Sequence, residues 1–171
     1  DLPRIYSLSP YTLEEVVSRD YLLKERPEAV INLVDATNIE RNLYLTSQLL
    51  ELGIPVVIAL NMSDLLAKKG DQIDTERLSG IFGCQVVETS ALKGTEVTDQ
   101  AVAAAKGQKW KAPGHVFPAR VESAILKAEE ALGDRVEPSL RRWYAIKLLE
   151  RDPRAEADLN LPPSAMASIR T

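Results

Sequence analysis

Pro55-Val56-Val57-Ile58-Ala59-Leu60-Asn61-Met62-Ser63-Asp64 passes without a break from an apolar run into short polar side chains. The apolar part is short and rich in Val and Ile, which marks a buried strand. Two similar runs flank it, Ala29–Val34 and Gln85–Glu88. None alternates strictly, as expected of parallel strands covered on both faces. The stretches between them carry helical patterns. Thr12–Lys24 opens on Thr12 with Glu15 three residues on, a capping box. Ile39–Leu52 ends at Gly53, Asp74–Phe82 starts on a capping Asp and ends at Gly83, and Glu96–Lys106 is rich in Ala and Val. Helix and strand in alternation imply a parallel sheet with right-handed crossovers. In such sheets ligands bind beyond the carboxyl ends of the strands, which draws attention to Asp35, to Asn61–Asp64 and to Ser90 onward.

The chain changes character near Gly107. Residues 107–117 are marked as a linker by their Gly and Pro content. Two amphipathic helices follow, at about Pro118–Leu132 and Pro138–Glu150. The remainder, Asp152–Thr171, holds Pro153, Pro162 and Pro163 and shows little periodicity until its last residues. The expected organisation is a first domain over 1–106 and a small helical domain over 118–171.

Composition excludes several function classes. With 25 acidic against 21 basic residues the chain has a net charge of -4, so a nucleic-acid partner is not expected. One Cys and one His cannot build a disulfide framework, a zinc cluster or an iron site from the usual ligands. Cys84 opens an apolar run and is expected to be a buried structural thiol; His115 lies in a Pro/Gly-rich stretch and is expected to be an exposed loop residue. The pairs Glu14/Glu15 and Glu129/Glu130 are expected on solvated helix faces rather than as acid/base partners. No segment approaches the roughly 18 apolar residues of a membrane span, and no signal peptide is visible. The start at Asp1-Leu2-Pro3, without Met, is expected of a piece of a longer polypeptide.

Asn61-Met62-Ser63-Asp64 carries the sharpest chemistry. A carboxylate accepts both the ring imino and the exocyclic amino hydrogens of guanine, and adenine lacks that paired donor edge. An Asn three residues earlier can bridge the base and nearby backbone, and the flexible body of Met62 can cover the base plane. Alone, N-x-x-D is a common turn. Ser90-Ala91-Leu92, again just past an apolar strand, supplies the second element: a turn whose backbone N–H groups meet the guanine carbonyl oxygen. Together the two predict guanine binding. The third element is Asp1-Leu2-Pro3-Arg4, close to an Asp-x-x-Gly pattern in which Asp holds a magnesium-bound water and the Gly N–H meets the γ-phosphate. Asp1 fits as an indirect metal contact. Arg4 stands where the pattern has Gly, and a side chain there is expected to obstruct close backbone approach or triphosphate sensing. Ile5, being apolar, cannot orient water, so no catalytic residue is named.

The run DLPRIYSLSPYTLEEVVSRDYLL, then VINLVDATNIERNLYLTSQLLELGIPVVIALNMSD and VVETSALKG, resembles the bacterial ferrous iron transporter family FeoB. That family reads Asp-Leu-Pro-Gly-x-Tyr-Ser-Leu at the switch and Asn-Met-x-Asp at the base site. The resemblance is specific over 1–106 and looser over the later helices. It implies a P-loop GTPase-like α/β sheet without its first strands, followed by a small helical domain. It further implies GTP/GDP and Mg2+ as ligands, with the phosphate loop and first switch upstream of Asp1. Implied partners are a downstream transmembrane domain of the same polypeptide, small accessory iron-transport proteins and a homo-oligomer, at the cytoplasmic face of the inner membrane. Slow GTP hydrolysis coupled to ferrous iron uptake is the implied activity, and the isolated chain is expected to be inactive. The competing expectations are a GTPase of another class, such as a ribosome or tRNA assembly factor, and a regulatory fragment that folds without holding nucleotide.

Overall fold

In the computed structural model, three parallel strands lie in the order β1 (Val30–Asp35), β2 (Val56–Asn61), β3 (Gln85–Glu88). The structure describes residues 1–89, 95–109 and 117–170, and only the backbone of 95–98. The β1–β2 ladder runs in register from Val30↔Val56 to Asp35↔Asn61, and the β2–β3 ladder from Val57↔Gln85 to Leu60↔Glu88. Val56 to Leu60 of the central strand are all buried, which explains their unbroken apolar character. Each of its Val, Ile and Leu side chains contributes about 1.5–3 kcal/mol on leaving water.

The crossovers are helical, as the parallel sheet requires. α1 (Leu13–Glu25) carries the expected capping box: the Glu15 N–H donates to Thr12 Oγ1 and the Thr12 N–H to the Glu15 carboxylate. α2 (Ile39–Glu51) joins β1 to β2 and packs on both. A buried hydrogen bond from Asn32 Nδ2 to Thr46 Oγ1, 2.7 Å, ties it to β1. α3 (Ser63–Lys68) is one short helix directly after β2. α4 (Thr75–Phe82) is capped by the Asp74 carboxylate and stopped by Gly83 at φ +65°, a left-handed position that suits glycine. α5 (Thr95–Gly107) runs along all three strands. Cys84 is buried among these elements, and desolvation pushes its thiol up to about 11, in keeping with the structural role expected of it.

Asp1–Gly114 and His115–Thr171 form separate compact units. The second contains α6 (Ala119–Leu132), α7 (Pro138–Leu149), α8 (Pro153–Leu159) and α9 (Pro163–Arg170). Its core is Ile125, Ala128, Leu132, Val136, Ala145, Leu148, Ala155 and Ile169. Inside it the Arg142 guanidinium donates twice to the Glu122 carboxylate, both at 2.9 Å, with Glu122 buried. The weak periodicity expected after Asp152 is corrected here, because residues 153–159 and 163–170 are helical. Pro153 and Pro163 each begin a helix, where a missing N–H costs nothing. The Asp152 carboxylate accepts from the Arg154 and Ala155 N–H groups to cap α8. Among the described residues no helix is long and apolar enough to cross a membrane.

Candidate functional site

β1 and β2 end level, so Asp35 and Asn61 are cross-strand partners at the carboxyl edge of the sheet. Beyond Asp35 the chain turns at once. Its carboxylate accepts from the Thr37 N–H at 2.9 Å and the Thr37 hydroxyl at 2.7 Å, capping a short 3-10 turn over Ala36–Asn38. Beyond Asn61 the turn is sharper. Met62 sits at φ 63°, ψ 21°, a left-handed conformation that costs a non-glycine residue about 1–2 kcal/mol. This reversal starts α3, with the Leu65 and Leu66 N–H groups donating to the Met62 carbonyl. Ser63 and Asp64 thereby lie in the first turn of α3, Asp64 exposed.

Thr89 finishes the edge. Its N–H and its hydroxyl both donate to the Leu60 carbonyl, at 2.7 and 3.1 Å, one residue before Asn61. This buried residue fixes where the chain leaves β3 toward Ser90. Nothing in the local sequence distinguishes it from other strand-end threonines. Ser90, Ala91 and Leu92 lie outside the described residues, as does His115.

A cavity of about 770 Å³ runs alongside β1. Asp1, Leu2, Pro3 and Arg4 line it together with Asp35, Asn61 and Met62. It follows the open edge of β1, the outer strand of the sheet. The two groups of predicted residues, far apart in sequence, thus share one space. Ser63 and Asp64 stand beside it on α3 and are not part of its lining. Among the described residues no cluster of three or more His, Cys, Asp or Glu side chains could hold a metal. Asp1 and Asp35 both bring a carboxylate to the cavity wall.

The segment after Asp1 is fastened to two helices. The Arg41 guanidinium of α2 lies over the Tyr6 ring at 3.8 Å, and that of Arg4 approaches the same ring at 5.7 Å. The Leu8 N–H donates to the Gln48 side chain of α2, a buried bond of 2.7 Å. The Ser7 and Ser9 hydroxyls both donate to the Glu15 carboxylate of α1. Burial raises the Glu15 pKa, but the hydroxyls of Ser7 and Ser9 and the donors of Thr12 outweigh this and hold it below the ordinary carboxylate range. Glu15 is therefore more than a solvated face residue. Arg4 does not occupy left-handed backbone, so the chain holds an arginine there without strain.

A parallel sheet whose carboxyl edge gathers an Asn-x-x-Asp turn, followed in the chain by a separate helical unit, is the architecture of a GTP-binding G domain with an appended helical domain. The family model for ferrous iron transport protein B matches residues 1–104, and that for the FeoB cytosolic helical domain matches residues 117–171. This chain belongs to the FeoB family.

A Fe(2+) transport protein A/Fe(2+) transporter FeoB fusion protein of Porphyromonas gingivalis is 44% identical over 165 residues, covering 89% of this chain and 19% of that protein. The Fe(2+) transporter FeoB of Escherichia coli K12 is 37% identical over 161 residues, covering 89% and 20%. The chain thus spans about one fifth of the length of these relatives. Among solved structures, NFeoB from S. thermophilus bound to GDP.AlF4- and K+ superposes with a TM-score of 0.92 at 48% identity, covering 99% of this chain and 67% of that one. NFeoB from the same source bound to mGMPPNP gives 0.90 at 50%, covering 99% and 64%.

Proposed function

We propose that this chain is the base-recognising part of a GTPase domain that binds and hydrolyses GTP in the full-length protein. The reading gives Asp64 the guanine N–H pair, Asn61 the bridge between base and backbone, and Met62 the cover over the base plane. Ser63 starts α3, and Ser90, Ala91 and Leu92 supply backbone N–H to the guanine carbonyl oxygen. The observation that carries it is the shared carboxyl edge, where Asn61 pairs with Asp35 and Thr89 holds the exit of β3 beside them. The cavity supports it by bringing Asp1–Arg4 to the same space as Asn61 and Met62. Relatives bound to GDP and to mGMPPNP are consistent with it.

On the phosphate side, Asp1 would act through a magnesium-bound water. The ion supplies charge neutralisation on the β- and γ-phosphates when bound. Asp1 contributes a fixed acceptor at the cavity wall; Leu2 and Pro3 carry the chain on to Arg4. The domains of this reading are 1–106 and 118–171, joined by the linker 107–117. In the whole protein we place them at the cytoplasmic face of the bacterial inner membrane, where GTP binding and hydrolysis drive ferrous iron uptake through a transmembrane domain of the same polypeptide. The Porphyromonas fusion supports a small accessory iron-transport protein as a partner. A homo-oligomer is compatible with this arrangement.

The test is base selectivity. Asp64→Asn presents a donor to the amino group of guanine, which also donates, whereas xanthine offers an oxygen there. The variant should lose GDP affinity and gain XDP affinity in equilibrium titration, each by about tenfold or more. Unchanged preference for GDP would overturn the assignment.

A further inference from the structure

Arg4 and Arg41 are exposed, and both direct a guanidinium to the ring of Tyr6. Neither makes an ion pair with a carboxylate among the described residues. Two like charges are thus gathered on one ring with no carboxylate paired to either, although Asp1 and Asp35 stand on the wall of the adjoining cavity, and an anion bound beside the guanidinium groups supplies the close counter-charge they lack. Arg4 and Tyr6 also line the cavity that reaches Asn61 and Met62. The ring is steadied in turn: its neighbours Ser7 and Leu8 are held by Glu15 and Gln48. A guanidinium so placed has its N–H fork free for planar recognition of phosphate oxygens.

We propose that Arg4 is a phosphate contact, held in place by Tyr6 on Arg41, that favours nucleotides with a longer phosphate chain. This rests on the reading of Asn61–Asp64 as the base site, since a base seated there directs its phosphates along the cavity to Arg4. The side chain is then a specificity determinant rather than an obstruction. Arg41 is a positioning residue: it acts through the Tyr6 ring and need not touch the ligand.

Titration of the full-length protein with guanosine, GDP and the non-hydrolysable analogue GMPPNP tests this. Arg4→Gln should weaken GMPPNP by about tenfold or more, GDP by less, and leave guanosine unchanged; Arg4→Lys should restore part of the loss. Tyr6→Phe should behave as the parent, and Tyr6→Ala and Arg41→Gln should lose GMPPNP affinity in the same order of ligands. The dependence of GMPPNP affinity on salt should also flatten in Arg4→Gln. Equal loss for all three ligands, or GMPPNP binding as tight as or tighter than the parent's, would overturn the proposal. The base-site reading fails separately: if Asp64→Asn leaves guanosine binding unaltered while Arg4→Gln still weakens GMPPNP, a phosphate contact remains without guanine recognition.

Discussion

Asp35 and Asn61 are the last cross-strand pair of the β1–β2 ladder, and each begins a reversal of the chain. The two reversals are stabilised differently. Asp35 is satisfied by donors two residues on, whereas Asn61 is followed by a residue held in a left-handed conformation. One side of the edge is thus set by a hydrogen-bonded cap and the other by a strained residue. The 3-10 turn after Asp35 packs against α3, so the cap supports the helix that carries Asp64.

Replacing Asp35 should therefore cost both stability and ligand binding. Asp35→Ala removes the acceptor for the Thr37 N–H and hydroxyl, and a lost cap costs about 1 kcal/mol. We expect a lower urea midpoint with an unchanged slope, together with weaker guanine-nucleotide binding. Asp35→Asn keeps an acceptor oxygen and should recover most of the stability. Equal midpoints for Asp35→Ala and the parent would show that the turn holds without its cap.

Met62 separates backbone cost from ligand contact. Met62→Gly removes the penalty of the left-handed conformation and should be neutral or stabilising by up to about 1 kcal/mol, because the flexibility gained in the unfolded chain opposes the relief. The same change removes the side chain assigned to cover the base, so nucleotide affinity should fall while stability holds or rises. Opposite movement of the two quantities in thermal melts and titrations is the expected signature. A parallel fall in both would mean that Met62 serves the fold alone.

Acid should release the segment at Ser7–Ser9 from α1. The Glu15 pKa is lower in the folded protein than its unfolded value of roughly 4.3. The native state then binds fewer protons than the unfolded one in that range. The Glu15 contribution is present above the unfolded value and disappears as pH falls through the folded one. Glu15→Gln should flatten the loss of stability on acidification, and the double change Ser7→Ala with Ser9→Ala should flatten it nearly as much. An acid limb identical in parent and Glu15→Gln would remove this residue from the account.

The strands and the crossover helices were legible because local signals decide them: Val/Ile-rich runs, a Thr-x-x-Glu cap and glycine stops. The same local logic misread the C-terminal stretch. Pro153 and Pro163 look like breakers until their position at the first helical residue is known. At the site, Asn61–Asp64 was legible as a motif. Thr89, Gln48 and Arg41 were not, since their partners Leu60, Leu8 and Tyr6 are remote in sequence. Glu15 was half legible. Its role in the capping box follows from spacing, but its capture of Ser7 and Ser9 depends on how the preceding loop folds back.

In the helical unit, Glu122 and Arg142 join α6 to α7 through two charge-assisted bonds of 2.9 Å. Glu122 also accepts from the Phe117 N–H at 3.2 Å, so it ties the first turn of α6 to the residue ahead of its Pro118 cap. Both charges are largely screened from water, at 7% exposure for the Glu122 side chain and 19% for that of Arg142. Desolvation consumes most of their attraction, and the pair as a whole contributes little net stability. Removing one member is different, because it leaves the other charge without its bidentate partner. Glu122→Ala should destabilise this unit by about 3–5 kcal/mol, whereas the double change Glu122→Leu with Arg142→Met should cost far less. Burial already raises the pKa of the neighbouring Glu129, and Arg142 acts to lower it. Arg142→Met should thus raise it further, visible as an upward shift in the carboxyl titration followed by NMR. A Glu122→Ala variant as stable as the parent, with Glu129 titrating unchanged in Arg142→Met, would show that apolar packing of Ile125, Leu132 and Leu148 holds α6 on α7 by itself.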